Sequence, residues 1–148
     1  MSSSSACTFL FSPGRPIRTE KMVFWGKPHP KERPRKARTG HLYDPASNRE
    51  AEGKLQEEIA RLYPDVPRKF TGPLQVECFF MYPKPKNWFP GKPKGKPDID
   101  NLLKTVCDAF NGVLWEDDAQ IVGKKGEKEF WDESEPATII RITYYHPA

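Results

Sequence analysis

Two segments rich in proline and positive charge divide this chain, and they restrict its fold more than any other feature of the sequence. The first, from Lys27 to Arg38, carries six basic side chains and one acidic side chain. The second, from Pro83 to Pro97, carries five lysines and no acidic side chain. Proline lacks a backbone donor and disfavours helix around it, so both segments are predicted to be extended loops. Regular secondary structure must therefore lie between and beyond them.

Helical periodicity is found in two stretches. The first helix is predicted to begin at Ser47, which has the capping-box spacing to Glu50, and to end before Pro64. Its apolar stripe consists of Ala51, Leu55, Ile59 and Leu62. The second helix is predicted from Asp98 to Val113, with Asn111-Gly112 at its end. Its apolar stripe consists of Leu102, Leu103, Val106, Ala109, Phe110 and Val113.

Alternating apolar residues predict strands around these helices. Leu74 to Tyr82 alternates along most of its length, and further strands are predicted at 22–25, 119–130 and 137–145. The order strand, helix, strand, helix, strand, strand predicts an α+β fold, a single small domain in which a mixed β-sheet is packed by two main helices. We predict that this domain spans residues 22–148.

Residues 1–21 are predicted to be a flexible N-terminal extension. They are rich in serine, with no acidic side chain before Glu20. Organelle-targeting peptides share this composition, although an unstructured extension is the simpler interpretation. No apolar run approaches the ~18 residues that span a membrane. The three cysteines, Cys7, Cys78 and Cys107, are predicted to be free thiols in a reducing compartment.

Charge is segregated along the chain. Residues 97–135 carry eleven acidic and four basic side chains, a balance of −7; because the whole chain is +4, the remainder is +11. A basic surface attracts polyanions such as the phosphate backbone of nucleic acid. Acidic side chains collected within such a surface indicate a metal-dependent enzyme that acts on a polyanion.

The acidic region contains two carboxylate pairs, Asp98/Asp100 and Asp117/Asp118, and Lys104 lies between them. Carboxylates repel each other unless a cation lies among them, and oxygen ligands select Mg²⁺ or Mn²⁺. A lysine beside such an ion can stabilise charge on a reacting phosphate. We predict that Asp98 is the N-cap of the second helix, where it converges with Asp100, and that Asp118 joins them as a ligand. Asp117 is either a further ligand or a supporting residue.

Each of these features also has a purely structural explanation. Aspartates are common at helix starts, Asp117-Asp118 can be an ordinary turn, and Lys104 can form an ion pair with Asp100. Asp108, one turn after Lys104, is interpreted as its salt-bridge partner. The two pairs together with the segregated charge favour the metal site.

Three segments of the acidic region resemble the signature of RusA-type Holliday junction resolvases, which are crossover junction endodeoxyribonucleases. They are KPDIDNLLK (96–104), DAFNGVL (108–114) and DDAQIV (117–122). The segment GKPHPKERPR (26–35) also resembles the opening of phage-type members. The resemblance extends from about Met22 to the C-terminus.

The resemblance implies a homodimeric endonuclease that depends on Mg²⁺, with Mn²⁺ as a substitute, and resolves four-way DNA junctions by paired nicks. The family's metal-binding aspartates correspond to Asp98, Asp100 and Asp118 in this chain, and its catalytic lysine corresponds to Lys104. The expected partners are branched DNA, especially four-way junctions, and a second copy of the chain, with no membrane. The expected location is the cytoplasm of a bacterium or of a phage-infected cell.

DNA binding is predicted for the two cationic segments, whose side chains can follow phosphates without reading bases. The candidates are Lys31, Arg33, Arg35, Lys36 and Arg38 in the first segment, and Lys84, Lys86, Lys92, Lys94 and Lys96 in the second. Trp88 and Phe89 are candidates for stacking on bases or opening the junction centre. An equal alternative is that they hold their loop onto the domain or contact a second copy.

The main alternative function is a non-catalytic protein that binds junctions or single-stranded DNA, and a metal-dependent nicking assay distinguishes the two. A glycosyltransferase with an Asp-x-Asp metal site is disfavoured because the chain has no Gly-rich phosphate loop. A nuclease of the PD-(D/E)xK type is disfavoured because no (D/E)-x-K follows at the next strand, where Asp118 precedes Ala119 and Gln120. The three histidines show no zinc-binding spacing: His29, His41 and His146.

Overall fold

The structure, a computed structural model, describes residues 14–88 and 90–146. Its strands are β1 (Pro16–Trp25), β2 (Arg35–Lys36), β3 (Leu42–Tyr43), β4 (Leu74–Pro83), β5 (Ile121–Trp131) and β6 (Ala137–Tyr145), and its main helices are α1 (Ala46–Leu62) and α2 (Ile99–Phe110). The main sheet has the order β1–β6–β4–β5, and β2 and β3 form a separate hairpin. β6 is antiparallel to both neighbours, whereas β4 and β5 are parallel. The predicted α+β fold with a mixed sheet and two main helices is confirmed.

β1 begins earlier than the sequence predicted. Residues 16–21, which the prediction assigned to the N-terminal extension, pair with the end of β6. Their side chains are mostly exposed and do not alternate between apolar and polar, so main-chain hydrogen bonds hold this half of the strand. The predicted boundary at residue 22 therefore lies too late in the sequence. The Ser-rich run and Cys7 lie outside the described residues.

α1 matches its prediction in extent but not in its cap. The helix has Pro45 as its N-cap and no side-chain cap hydrogen bond. The hydroxyl group of Ser47 donates instead to the carboxylate of Glu32, in the first cationic segment. The predicted capping box between Ser47 and Glu50 is therefore wrong, because a partner distant in sequence takes the hydroxyl group.

The two helices cover one face of the sheet. The inward side chains of its central strands are buried: Leu74, Val76, Cys78 and Phe80 of β4, and Ile140, Ile142 and Tyr144 of β6. The buried side chains of α2 belong to the same core: Leu102, Leu103, Val106, Cys107, Ala109 and Phe110. Cys78 and Cys107 are free thiols, as predicted.

Gly126 allows α2 to lie close to β5. A Cβ atom at this position would come within 2.9 Å of Cδ1 of Leu103, so a larger residue would require the Leu103 side chain or the helix to shift. α2 ends at Phe110, with Asn111 as its C-cap beside Gly112, whose φ is +80°. The predicted end signal Asn111-Gly112 is confirmed, but the helix ends three residues before the predicted Val113. No helix among the described residues is long and apolar enough to cross a membrane.

Candidate active site

The N-terminus of α2 presents the first carboxylate pair. Asp98 is the N-cap, as predicted, but its carboxylate does not cap a backbone amide. It accepts a hydrogen bond from Lys96, with Nζ and Oδ2 2.9 Å apart. The hydrogen bond and charge of this lysine lower the pKa of Asp98 below its ordinary value. Asp100 lies exposed in the first turn of the helix.

Lys128 of β5 supports the chain just before Asp98. Its ammonium group donates to the backbone carbonyl groups of Gly95 at 2.7 Å and Pro97 at 3.0 Å. These bonds join the end of the second cationic segment to the edge of the sheet. The position of Asp98 therefore depends on β5 as well as on α2.

Lys104 lies one turn after Asp100, and its side chain is 60% exposed. Its Nζ atom lies 3.8 Å from Oδ2 of Asp108, which confirms the predicted salt bridge within α2. Asp108 lies closer to Lys31 of the first cationic segment, at 3.1 Å. No ion pair joins Asp100 and Lys104 in the described part of the chain. The ammonium group of Lys104 is therefore accessible from solvent.

Asp118 is held near the other end of α2 by a buried indole. Trp115 is fully buried, and its Nε1 donates to Oδ1 of Asp118 at 2.8 Å. A shallow depression beside this carboxylate is bordered by Cys107 and Lys124. Burial raises the pKa of the Cys107 thiol to about 11, so that this group stays protonated at neutral pH.

Gln120 fixes the turn that carries the second carboxylate pair. Its side-chain oxygen accepts hydrogen bonds from the backbone amides of Glu116 at 2.9 Å and Asp117 at 2.8 Å. Its side-chain nitrogen donates to the carbonyl groups of Phe70 at 2.6 Å and Gly72 at 2.9 Å. The pair thus lies at a short 3₁₀ turn, Asp118–Gln120, which precedes β5.

The carboxylates do not form a ready-made cluster. In residues 14–88 and 90–146, no three Asp, Glu, His or Cys side chains lie together so that they could hold a metal ion. Asp98 caps the start of α2, whereas Asp118 lies beside Cys107, and nine residues of helix span about 14 Å. The oxygen donors of Asp98 and Asp100 nevertheless suit Mg²⁺, which often takes one or two carboxylates and completes its shell with water and substrate phosphates. The ligand roles of Asp98, Asp100 and Asp118 stay predictions.

A groove separates the first cationic segment from the start of α2. It is lined by Pro30, Arg33, Arg35, Lys96, Asp98 and Asn101, among others. The backbone amide of Lys31 donates to the carbonyl group of Asn101 at 2.8 Å, which joins the segment to the first turn of the helix. Positive side chains therefore surround an exposed carboxylate, and a phosphate drawn into the groove would lie next to it.

Two side chains anchor the first cationic segment. Asn48 of α1 is fully buried; it accepts a hydrogen bond from the backbone amide of Glu32 and donates to its carbonyl group, both at 2.9 Å. Lys31 is 16% exposed and pairs with Glu52 at 2.7 Å and Asp108 at 3.1 Å. Burial by itself would lower the pKa of Lys31, but hydrogen bonds to these carboxylates outweigh it and raise the pKa. Lys31, predicted as a DNA contact, is engaged within the protein.

The other predicted DNA contacts of the first segment are exposed: Arg33, Arg35, Lys36 and Arg38. In the second segment, Lys84 pairs with Asp132 and Lys92 with Glu129, both at 2.7 Å. Lys86 and Lys94 have no ion pair among the described residues. They are therefore the lysines of this segment that can contact phosphate without first leaving a partner.

Trp88 contacts its own loop. The Nζ atom of Lys84 lies 4.2 Å from the centre of the Trp88 ring. This contact agrees with the structural alternative for Trp88, and its stacking on bases stays a prediction. Phe89 lies outside the described residues.

Sequence reasoning missed the residues that position the site, namely Asn48, Trp115, Gln120 and Lys128. Gln120 lies in the DDAQIV segment, but no motif indicated its positioning role or that of the other three, and three of the four bind partners that are distant in sequence. The residue types of Asn48, Gln120 and Trp115 were the available signal. Buried amide and indole groups nearly always have a hydrogen-bond partner, so each of these side chains could be expected to hold another segment in place.

A family model described as Endodeoxyribonuclease RusA matches residues 26–143, a range that includes both helices, the groove and every candidate side chain. The chain therefore belongs to the RusA endodeoxyribonuclease family, a family of endonucleases that resolve Holliday junctions and act on branched DNA. Its members generally depend on a divalent metal ion. The chain is also similar to the "Uncharacterized protein YqaN" of Bacillus subtilis (strain 168), with 29% identity over 136 residues, which cover 82% of this chain and 94% of that protein.

Proposed function

We propose that this chain is a Mg²⁺-dependent, structure-selective endodeoxyribonuclease that resolves four-way (Holliday) DNA junctions by paired nicks. The main support is the groove at the start of α2, in which the exposed carboxylate of Asp98 lies among Arg33, Arg35 and Lys96. These cations attract the DNA backbone and bring a phosphate next to oxygen ligands that suit a hard divalent ion.

The proposed metal ligands are Asp98, Asp100 and Asp118, and Asp117 is a possible addition. A bound divalent ion supplies a water of lowered pKa and polarises the scissile phosphate. The carboxylate of Asp98 is exposed and, among the described residues, is paired with Lys96 alone, so it can turn toward an arriving substrate. The exposed ammonium group of Lys104 is proposed to stabilise negative charge that develops on the leaving oxygen.

DNA binding is proposed for the exposed cations of both segments: Arg33, Arg35, Lys36, Arg38, Lys86, Lys94 and Lys96. Lys84 and Lys92 can join them only after leaving Asp132 and Glu129, just as Lys96 must leave Asp98 and Arg35 must leave Glu32. These contacts follow phosphates, so affinity should fall steeply with salt. Affinity that barely changes between low and moderate salt would contradict a phosphate-dominated interface.

The test is cleavage of a mobile four-way junction, a Y-fork and a linear duplex, each with Mg²⁺ and with EDTA. The expected result is metal-dependent nicking of opposed strands, confined to the branched substrates. Asp100→Asn should cut at least about 10²-fold more slowly and bind the junction as tightly as the parent or more tightly, because a negative charge is lost.

Asp65→Asn is the matched control, because it removes the same charge from an exposed position outside the groove. It should cut like the parent. A parent protein that binds junctions but cuts none of them with Mg²⁺ or Mn²⁺ would identify the alternative, a non-catalytic protein that binds junctions or single-stranded DNA. Paired nicks also require two active sites, which a homodimer supplies.

A further inference from the structure

Lys124 of β5 lies outside both cationic segments, in the part of the chain where acidic side chains predominate. It faces the same side of the sheet as α2, because a Cβ atom at Gly126, two residues later, would meet Leu103 of that helix, and residues two apart on a strand share a face. Its strand partner is the fully buried Val76 of β4. Lys124 therefore lies beside α2, at the edge of the main sheet that β5 forms.

The ammonium group of Lys124 has no partner in the part of the chain that the structure describes. The residue is exposed, and none of the ion pairs or side-chain hydrogen bonds between described residues includes it. The next residue, Lys125, points to the other face of the sheet and pairs with Glu127 at 3.7 Å. An exposed lysine is an ordinary surface residue unless its surroundings give it a ligand to bind.

The surroundings of Lys124 are the shallow depression beside Asp118, which it borders together with Cys107. The depression has a volume of about 230 Å³, several times the ~30 Å³ that one water molecule occupies in the liquid. Burial raises the pKa of the Cys107 thiol, and the charge of Lys124 offsets part of this effect, more than the charge of Lys104 does. The positive charge of Lys124 therefore acts on the α2 side of the depression.

A phosphate at this end of α2 requires a cation close by. Glu116, Asp117 and Asp118 are consecutive carboxylates, and the first two are exposed, so they would repel a DNA backbone. The cations of the groove lie at the start of α2, and nine residues of helix span about 14 Å. Lys124 is the lysine that borders the depression, and its charge is not already neutralised by a described partner.

We propose that Lys124 binds a backbone phosphate of the DNA at the Asp118 end of α2. This contact deepens the proposed function and rests on its junction-binding part, because it assumes that a DNA strand passes from the groove at Asp98 along α2. Phosphate contacts fix the position of a strand without reading its sequence. Lys124 would hold the strand at one end of the helix, and the two cationic segments would hold it at the other.

Binding of a four-way junction in EDTA, measured over a range of salt concentrations, tests the contact without requiring cleavage. Lys124→Gln removes one charge from an exposed side chain, so its folding should be that of the parent. The slope of log affinity against log salt should decrease by about 1, and affinity at about 0.1 M salt should fall about 5–10-fold. Lys124→Arg keeps the charge and should bind like the parent.

Lys125→Gln is the matched control, because it removes the same charge one position further along β5, on the opposite face of the sheet. It should leave the salt slope unchanged, and circular dichroism should show native folding for each variant. The contact is contradicted if Lys124→Gln keeps the slope of the parent, or if Lys125→Gln lowers it as much.

Uncharged methylphosphonate groups, placed one at a time around the branch point of the junction, locate the contact. At one position the parent should lose affinity and Lys124→Gln should lose none, because the pair is already broken in that variant. If every position that weakens the parent weakens Lys124→Gln equally, the residue acts only through the overall charge of the protein, and the proposed contact is wrong.

Nicking assays on the same proteins separate this contact from the nuclease function. A parent that binds junctions but cuts none, and whose salt slope is lowered by Lys124→Gln, contradicts the nuclease function and supports the contact. A parent that nicks junctions and has the same slope as Lys124→Gln contradicts the contact alone. A parent that binds no DNA contradicts both.

Discussion

The two ends of α2 hold their aspartates in different ways. Asp98 is exposed, and its partner Lys96 is exposed as well, so the ion pair is of the weak surface type. Asp118 is bound by the indole of the buried Trp115, in a turn that Gln120 ties to the main chain before β4. One carboxylate can exchange its partner freely, and the other is fixed in place. The proposed metal site would therefore combine one fixed carboxylate with one that can change its partner.

The largest effect is expected from Asp118→Asn, which tests whether the fixed end takes part in the chemistry. Asparagine keeps an oxygen that accepts the bond from Trp115 but loses the negative charge. Junction cleavage should fall about 10²-fold or more while the thermal melting midpoint stays that of the parent. Single-turnover cleavage and thermal denaturation measure both quantities. Cleavage at the parent rate would mean that the fixed end serves folding alone.

Trp115→Phe should have the next largest effect, because it removes the donor that orients Asp118 and keeps most of the ring packing. Loss of such an orienting partner typically lowers metal affinity or activity by about 10–100-fold. The Mg²⁺ concentration needed for half-maximal cleavage should rise, which a purely structural role of Trp115 would not cause. A metal titration of cleavage measures the shift. An unchanged Mg²⁺ concentration for half-maximal cleavage would contradict a role of Trp115 in orienting a metal ligand.

Gln120→Ala tests how much the turn that holds Asp118 contributes to the stability of the fold. The substitution removes four hydrogen bonds of a half-buried turn and should lower the free energy of unfolding by about 1–3 kcal/mol. Urea denaturation measures the loss. Gln56→Ala is the control, because Gln56 donates one hydrogen bond, to the carbonyl group of Ala109. Equal losses for the two variants would contradict the special role of Gln120.

The smallest effect is expected from Lys96→Gln at the adaptable end. Asp98 loses its partner but stays exposed, so cleavage at saturating enzyme should change less than about tenfold, because surface ion pairs are weak. One phosphate contact is lost, and the slope of log affinity against log salt should decrease by about 1. Arg61→Gln, in neither cationic segment, should leave the slope unchanged. A collapse of cleavage in Lys96→Gln would show that Asp98 depends on this lysine.

Local sequence patterns predict the elements whose own side chains determine them. β6 was predicted at 137–145 and is found there, because Ile140, Ile142 and Tyr144 alternate into the core. The first half of β1 was missed, since hydrogen bonds to β6 hold it and no apolar alternation marks it. Pairing between strands that are distant in sequence cannot be predicted from the local residue pattern of either strand.

The candidate site follows the same rule. Residue types and spacing identified Asp98 as an N-cap and Asp108 as a partner of Lys104, both of which are local relations. The direction of Asp118 depends on a turn whose anchor, Gln120, binds a carbonyl group 50 positions earlier. Residue spacing does not predict a contact between such distant positions. The expected convergence of the Asp118 and Asp98 carboxylates could therefore not be checked from the sequence.

The anchoring of the first cationic segment by Asn48 and Lys31 has a thermodynamic consequence. A disordered basic arm loses conformational entropy when it settles on DNA, and that loss weakens the complex. Here the backbone around Glu32 is ordered during folding, so association removes little further freedom from it. In the proposed complex the segment would therefore meet a junction as a preordered surface, and its affinity would depend on charge and shape.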